Sequence, residues 1–152
     1  MTKRDCFQRR ARHRFQETMG RGYEENRVRL GILQSFGKDL ARWAKSTCEL
    51  SGVKGVPLAI YEPPPVPKSP DFNRCFLLSE DTIASLSKPS LLNADDWRRL
   101  SELIWSELPL QQVMSYRILD FLSKNHDWCS AILEETYVDD EVIADARAVP
   151  II

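Results

Sequence analysis

Apolar residues recur at helical spacing over most of this chain, and the first such stretch covers residues 3–19. Phe7, Ala11, Phe15 and Met19 recur every four positions, which predicts a helix with one narrow apolar stripe. Five arginines surround the stripe, namely Arg4, Arg9, Arg10, Arg12 and Arg14. We therefore predict an arginine-rich first helix that docks on a partner surface more than it contributes to a core.

A second helical pattern predicts one long helix over residues 23–50. Glu24 and Glu25 suit its first turn, where negative side chains meet the positive end of the helix dipole. The apolar positions fall on one face, which we expect to be buried. This face consists of Ile32, Leu33, Phe36, Leu40, Trp43, Ala44 and Thr47.

Prolines interrupt the helical pattern between residues 53 and 74. Five of the nine prolines fall between Pro63 and Pro70, and proline both fixes its own φ and removes a backbone donor. We predict an extended connector between two helical parts, with a short strand in the stretch 56–61 before it. The alternative is that Pro64 to Pro67, a PxxP pattern, is a ligand for an aromatic groove.

Residues 75–152 carry the signals of several short helices. Ser79 predicts the cap of a helix that ends near Ser87, and Pro109 predicts the first turn of a later helix. Asn93 predicts a helix over 94–108, on which Trp105 lies off the apolar stripe and is expected to be exposed. Further helix starts are predicted at Asn125 and at Asp139-Asp140-Glu141.

These elements predict an all-α fold, a small helical bundle in two parts joined by a Pro-rich extended connector. The parts are the basic N-terminal helices in residues 1–52, the connector in 53–74 and an acidic bundle of short helices in 75–152. The share of hydrophobic residues, 43%, is ordinary for a folded chain.

Charge is distributed unevenly along the chain. Residues 1–29 carry nine Lys and Arg against four Asp and Glu (+5), and residues 30–94 carry seven against six (+1). Residues 95–152 carry five against twelve, which is −7. A basic N-terminus favours nucleic acid or an acidic protein surface as its partner, unless the two ends attract each other within the fold or between copies.

The sequence shows no decisive catalytic motif. The four cysteines form no CxxC pair, and reduced thiols are expected. His126 and Cys129 lie three residues apart and would supply half of a zinc site, but no other pair has ligand spacing. We therefore expect Cys129 in the core, and neither a metal nor a cofactor. The sequence contains no run of 18 apolar residues, the length that a membrane-spanning helix needs.

The leading hypothesis is a non-enzymatic adaptor, inhibitor or accessory subunit that binds another protein, with an acidic partner surface and possible self-association. The alternative is an RNA- or DNA-binding regulator that uses the arginine-rich helix; an enzyme ranks third. The expected location is intracellular, cytoplasmic or nuclear. The candidate binding residues are Arg4, Arg9, Arg10, Arg12, Arg14 and Trp105.

Overall fold

The computed structural model describes residues 22–151 of the chain. It contains two compact units, of which the first extends to Phe36 and the second begins at Gly37. The helix predicted over residues 3–19, with its five arginines, lies outside the described residues. In the first unit, residues 22–35 are helical (α1), and most of their side chains are exposed.

The helix predicted over 23–50 is not continuous, because the hydrogen-bond ladder is interrupted at Phe36. The Ser35 hydroxyl donates to the Ile32 carbonyl at 2.5 Å, and the Phe36 N–H bonds instead to the Leu33 carbonyl at 3.1 Å. A serine that bonds back to its own helix competes with the regular ladder. Gly37, which follows, is a poor residue for a helix interior. Helical structure resumes as α2, Gly37–Ala44.

Helix α2 ends well before the predicted limit at residue 50. Lys45 and Ser46 both take left-handed backbone conformations, with φ of 54° and 53°, and reverse the chain. Thr47 then pairs with Lys54, and the Cys48 N–H donates to the Val53 carbonyl at 2.9 Å. This reversal carries residues 47–50 into the core, where a continued helix would have left Glu49 on the outer face.

The second unit contains a two-stranded antiparallel sheet, so the all-α prediction is wrong in this respect, although the protein is mostly helical. Strand β1, Leu58–Tyr61, falls in the predicted strand region, and β2 is Phe76–Ser79. Leu58 lies opposite Ser79, and Tyr61 lies opposite Phe76.

The proline-rich stretch joins β1 to β2, and a connector between two helical parts is not confirmed. It contains a cis peptide bond between Pro64 and Pro65, and Pro63 is fully buried. A short 3₁₀ turn, Phe72–Arg74, ends the stretch, and the Asp71 carboxylate caps it by accepting from the Asn73 N–H at 2.9 Å.

Five further α-helices follow among the described residues. They are α3 (Glu80–Ser87), α4 (Leu100–Leu103), α5 (Pro109–Leu122), α6 (Asp127–Glu135) and α7 (Asp140–Ala148). Short 3₁₀ turns occur at Pro89–Leu91 and Ala94–Trp97. The predicted helix over 94–108 is therefore a 3₁₀ turn followed by the single-turn helix α4.

Several predicted helix ends are confirmed by the observed helix limits. The Ser79 hydroxyl accepts from the Thr82 N–H at 3.3 Å and caps α3, which ends at Ser87. Pro109 is the first residue of α5, and Asp139 precedes the first turn of α7. Helix α6 begins at Asp127, one residue later than a cap at Asn125 would place it, with His126 at the cap position.

Helix α5 is the centre of the core and packs against α4, α6 and α7. It is buried on most of its surface, and it includes the charged residue Arg117, which is only 4% exposed. The Arg117 guanidinium donates to the carbonyls of Ala146 and Asp145, each at 3.0 Å. These carbonyls belong to the last turns of α7, so a buried cation binds the negative end of that helix.

Candidate binding cleft

A cleft of about 500 Å³ opens in the second unit between α2, the 3₁₀ turn 72–74 and the start of α5. Its walls are mainly apolar, a composition typical of binding sites. The apolar lining consists of Leu40, Trp43, Phe72, Phe76, Leu108, Pro109, Leu110 and Val113. The polar lining consists of Glu49, Asn73, Arg74, Cys75, Gln111 and Asp145. We call it the α2–α5 cleft.

Trp43 is the most exposed large residue of this cleft. The sequence predicts its burial on a core face, and this prediction is wrong: 61% of the side chain is exposed. Of the predicted face, Ile32 is also exposed, whereas Leu40 is buried. The break at Phe36 and the reversal after Ala44 remove the continuous helix on which that face depended. Trp43 is therefore available to a partner at the wall of the cleft.

Glu49 is a buried carboxyl in the cleft wall, with 7% of the residue exposed. Its side chain accepts from the Leu77 N–H at 2.6 Å, and its own N–H donates to the Leu77 carbonyl at 3.1 Å. Glu49 thus covers the edge of β2 that β1 leaves open. Burial raises the pKa of Glu49, against the lowering effect of hydrogen bonds from Leu77 and Gln111.

An ion pair lies at the other polar part of the cleft. Arg74 Nη1 and Asp145 Oδ2 are 2.9 Å apart, and both side chains are partly exposed. The pair joins the loop before β2 to α7. Burial lowers the pKa of nearby Arg117, although Asp145 acts in the opposite direction. The ion pair and Arg117 together fix the position of α7 beside the cleft.

A second cleft, of about 580 Å³, lies near the start of α3 and is more polar. Its hydroxyl groups are Ser51, Ser79, Thr82 and Ser85, and its carboxylates are Glu80, Asp81 and Asp96. The Ser79 hydroxyl caps α3, and the Thr82 hydroxyl lies 2.8 Å from it within hydrogen-bond distance. These two hydroxyl groups therefore stabilise a helix end.

The three described cysteines, Cys48, Cys75 and Cys129, are buried. Cys48 lies behind the second cleft, with its sulfur 3.4 Å from the Thr82 hydroxyl. Burial alone would raise the pKa of Cys48, but hydrogen bonds with Ser51 and Thr82 outweigh it and lower the pKa to about 7. Cys129 is in the core, as predicted, and burial raises its pKa to about 11. The lowered pKa of Cys48 could not be predicted from the sequence, because the Thr82 hydroxyl is distant from it in the chain.

Trp105 is 59% exposed, as the sequence predicts, but it lines neither cleft. It follows Ile104, which is buried in the core, but does not itself belong to the core. The other candidate binding residues, Arg4, Arg9, Arg10, Arg12 and Arg14, lie outside the described residues and stay predictions.

Two further properties bear on function. Within residues 22–151, no group of three or more His, Cys, Asp or Glu side chains is arranged to hold a metal ion. Over the same residues, no helix has both the length and the apolar character needed to cross a membrane.

Family models, curated proteins and solved structures offer no significant match to this chain.

Proposed function

We propose that this protein is a non-enzymatic adaptor, inhibitor or accessory subunit that binds another protein through the α2–α5 cleft. The observation that carries the proposal is Trp43, which is 61% exposed at the wall of an apolar cleft. Tryptophan contributes strongly to binding when a partner buries it, and hence it is enriched at the centres of protein interfaces. Leaving it in water forgoes the free energy of burying a large aromatic surface.

The surroundings of Trp43 support a preformed binding surface. Leu40, one turn earlier on α2, is buried and anchors the helix, while the loop of residues 47–50 is held to β2 through both hydrogen bonds of Glu49. A partner would therefore meet a wall that is already ordered, which lowers the entropic cost of binding.

The alternative hypothesis, nucleic-acid binding, rests on the five N-terminal arginines and stays a prediction. Nucleic-acid binding by these arginines needs no contribution from the cleft. Substitutions in the cleft and substitutions of the arginines can therefore separate it from protein binding.

Trp43→Ala and Trp105→Ala form a matched pair for the test, since the two side chains are almost equally exposed. The immobilised protein and both variants are incubated with extract of cells that express the protein, and the retained proteins are compared. We expect a partner that the parent and Trp105→Ala retain and that Trp43→Ala loses. Loss on Trp105→Ala alone would assign binding to the other surface, and equal retention by both variants would contradict the proposal. Circular dichroism verifies that both variants fold.

A further inference from the structure

Resting on the proposed function, we propose that the occupant of the α2–α5 cleft is an amphipathic segment of a partner protein whose apolar side chains are flanked by Lys or Arg. An apolar groove selects apolar side chains, and the charges around it determine which sequences can approach. The charges beside this cleft are mainly negative.

Three exposed carboxylates lie next to residues of the cleft wall. Asp39 precedes Leu40, Asp71 precedes Phe72, and Glu107 precedes Leu108. Consecutive Cα atoms are about 3.8 Å apart, so each carboxylate is within one residue of the wall. They belong to α2, to the loop before the 3₁₀ turn and to the loop before α5, so residues next to three separate parts of the wall carry negative charge.

The positive charges at the cleft are fewer. Arg74 is in the wall, but Asp145 neutralises it across 2.9 Å. Arg42, which precedes Trp43, is exposed and is the only positive residue directly next to the wall on the α2 side; exposed Lys38 and Lys45 lie two residues from the nearest wall residue. The whole second unit, residues 37–152, carries twelve Lys and Arg against eighteen Asp and Glu, a net charge of −6. The local and the overall charge thus favour the same sign of partner.

The apolar lining and the nearby carboxylates contribute differently to recognition of the segment. Trp43, Leu108 and Pro109, which are exposed or partly exposed, offer apolar surface for the anchor, which supplies affinity by leaving water. The carboxylates are exposed and screened by salt, so they supply selectivity and a faster encounter. An acidic or neutral segment with the same apolar anchor would gain only the affinity that comes from apolar burial.

Three synthetic helical peptides test this inference. They share one apolar stripe, and the flanking positions are Lys and Arg in the first, Ser and Gln in the second, and Asp and Glu in the third. Binding to the full chain is measured by fluorescence anisotropy at low and high salt. We expect the basic peptide to bind about tenfold more tightly than the neutral one at low salt, with the difference shrinking at high salt. The acidic peptide should bind most weakly.

A charge reversal supplies the matched control. Asp39→Lys with Glu107→Lys should weaken the basic peptide and strengthen the acidic one. Glu134→Lys changes an exposed carboxylate of α6, which contributes nothing to the cleft, and should leave the order of the peptides unchanged.

The possible results separate this inference from the proposed function. If all three peptides bind equally and Trp43→Ala weakens them all, the charge inference is overturned while the cleft stands as a binding surface. If no peptide binds, or if binding ignores Trp43→Ala, the cleft itself is not the interface and both proposals fail.

Discussion

At the scale of single residues, Glu49 shows how one side chain serves the fold at the edge of a binding cleft. It is buried, yet its carboxylate and its N–H together satisfy both backbone groups of Leu77. Leaving those groups without partners would cost about 1–3 kcal/mol each. This arrangement buries the Glu49 carboxyl, and burial disfavours its charged form.

The raised pKa of Glu49 predicts a definite pH dependence. The folded state binds the proton more tightly than the unfolded state, so the contribution of Glu49 to stability is present below its ordinary pKa of 4.5 and is lost as the pH rises through the folded pKa. The free energy of unfolding of the parent minus that of Glu49→Gln should therefore fall as the pH rises above 4.5. Urea denaturation across this range measures it.

Exposed Glu134→Gln controls for the loss of one negative charge. A parent-minus-variant difference for Glu49→Gln that rises with pH would mean that the hydrogen bonds of Glu49, and not its burial, dominate.

The tryptophans differ in their predicted effects on stability. Trp97 is only 3% exposed and belongs to the core, so Trp97→Ala should lower the free energy of unfolding by about 3–5 kcal/mol. Trp43→Ala should change it by no more than about 0.5 kcal/mol, as expected of an exposed position. Chemical denaturation of both variants measures the contrast. A large loss on Trp43→Ala would show that the α2 side of the cleft is part of the core.

At the scale of elements, α7 depends on residues from distant parts of the chain. Its C-terminal carbonyls bind Arg117 of α5, and Asp145 binds Arg74 of the loop before β2. Hydrogen bonds to charged groups contribute more than neutral ones, and here the donor is also shielded from water.

Arg117→Met should therefore release α7 in particular. It leaves the carbonyls of residues 145 and 146 without their donor, and we expect a loss of about 2–4 kcal/mol. Amide hydrogen exchange should show loss of protection in α7 before the rest of the unit. Arg98→Met is the control, because Arg98 is exposed, pairs with exposed Asp95 at 3.3 Å and stacks on the ring of Trp128 at 4.2 Å, and neither contact involves α7. Uniform loss of protection across all helices would contradict a specific role in holding α7.

Local sequence signals predicted where helices and strands begin and end better than they predicted which faces of those elements are buried. The cap at Ser79, the start at Pro109 and the strand before the prolines depend on nearby residues, and all three are confirmed. The buried face of the second helix failed because periodicity shows which residues share a face and not whether anything covers it. Strand β2 gave no alternating pattern because all four of its residues are buried.

The cleft could not be predicted from the sequence for a similar reason. Its walls come from positions between residues 40 and 145, and no local pattern brings them together. Trp105 was predicted to be exposed because it lies off the apolar stripe of its predicted helix. Trp43 was predicted to be buried because it lies on the apolar face of its own. Exposure of Trp43 follows from the chain reversal at Lys45 and Ser46. Left-handed conformations are usually predicted from glycine, and neither of these residues is a glycine.

At the scale of the whole molecule, the charge asymmetry makes a prediction that is independent of the cleft. Replacing Arg9, Arg10, Arg12 and Arg14 together with Gln should leave the fold of the second unit intact and weaken binding of the partner or of nucleic acid. Individual exposed pairs contribute only about 0–1 kcal/mol, so several must act together. The loss should shrink at high salt, because screening already weakens the contacts of the parent.

Binding assays at low and high salt, with denaturation alongside, measure this effect. Unchanged binding would exclude the arginines from the interface. Failure to fold would show that they are structural.

The central claim is that the α2–α5 cleft is the surface at which this protein binds its partner. The most direct measurement is site-specific photo-crosslinking in cells that express the protein, with p-benzoylphenylalanine placed at Trp43 or, for comparison, at Trp105. We expect a covalent complex with one partner protein on irradiation from position 43 and none from position 105. A complex that forms from position 105 and not from position 43 would contradict it.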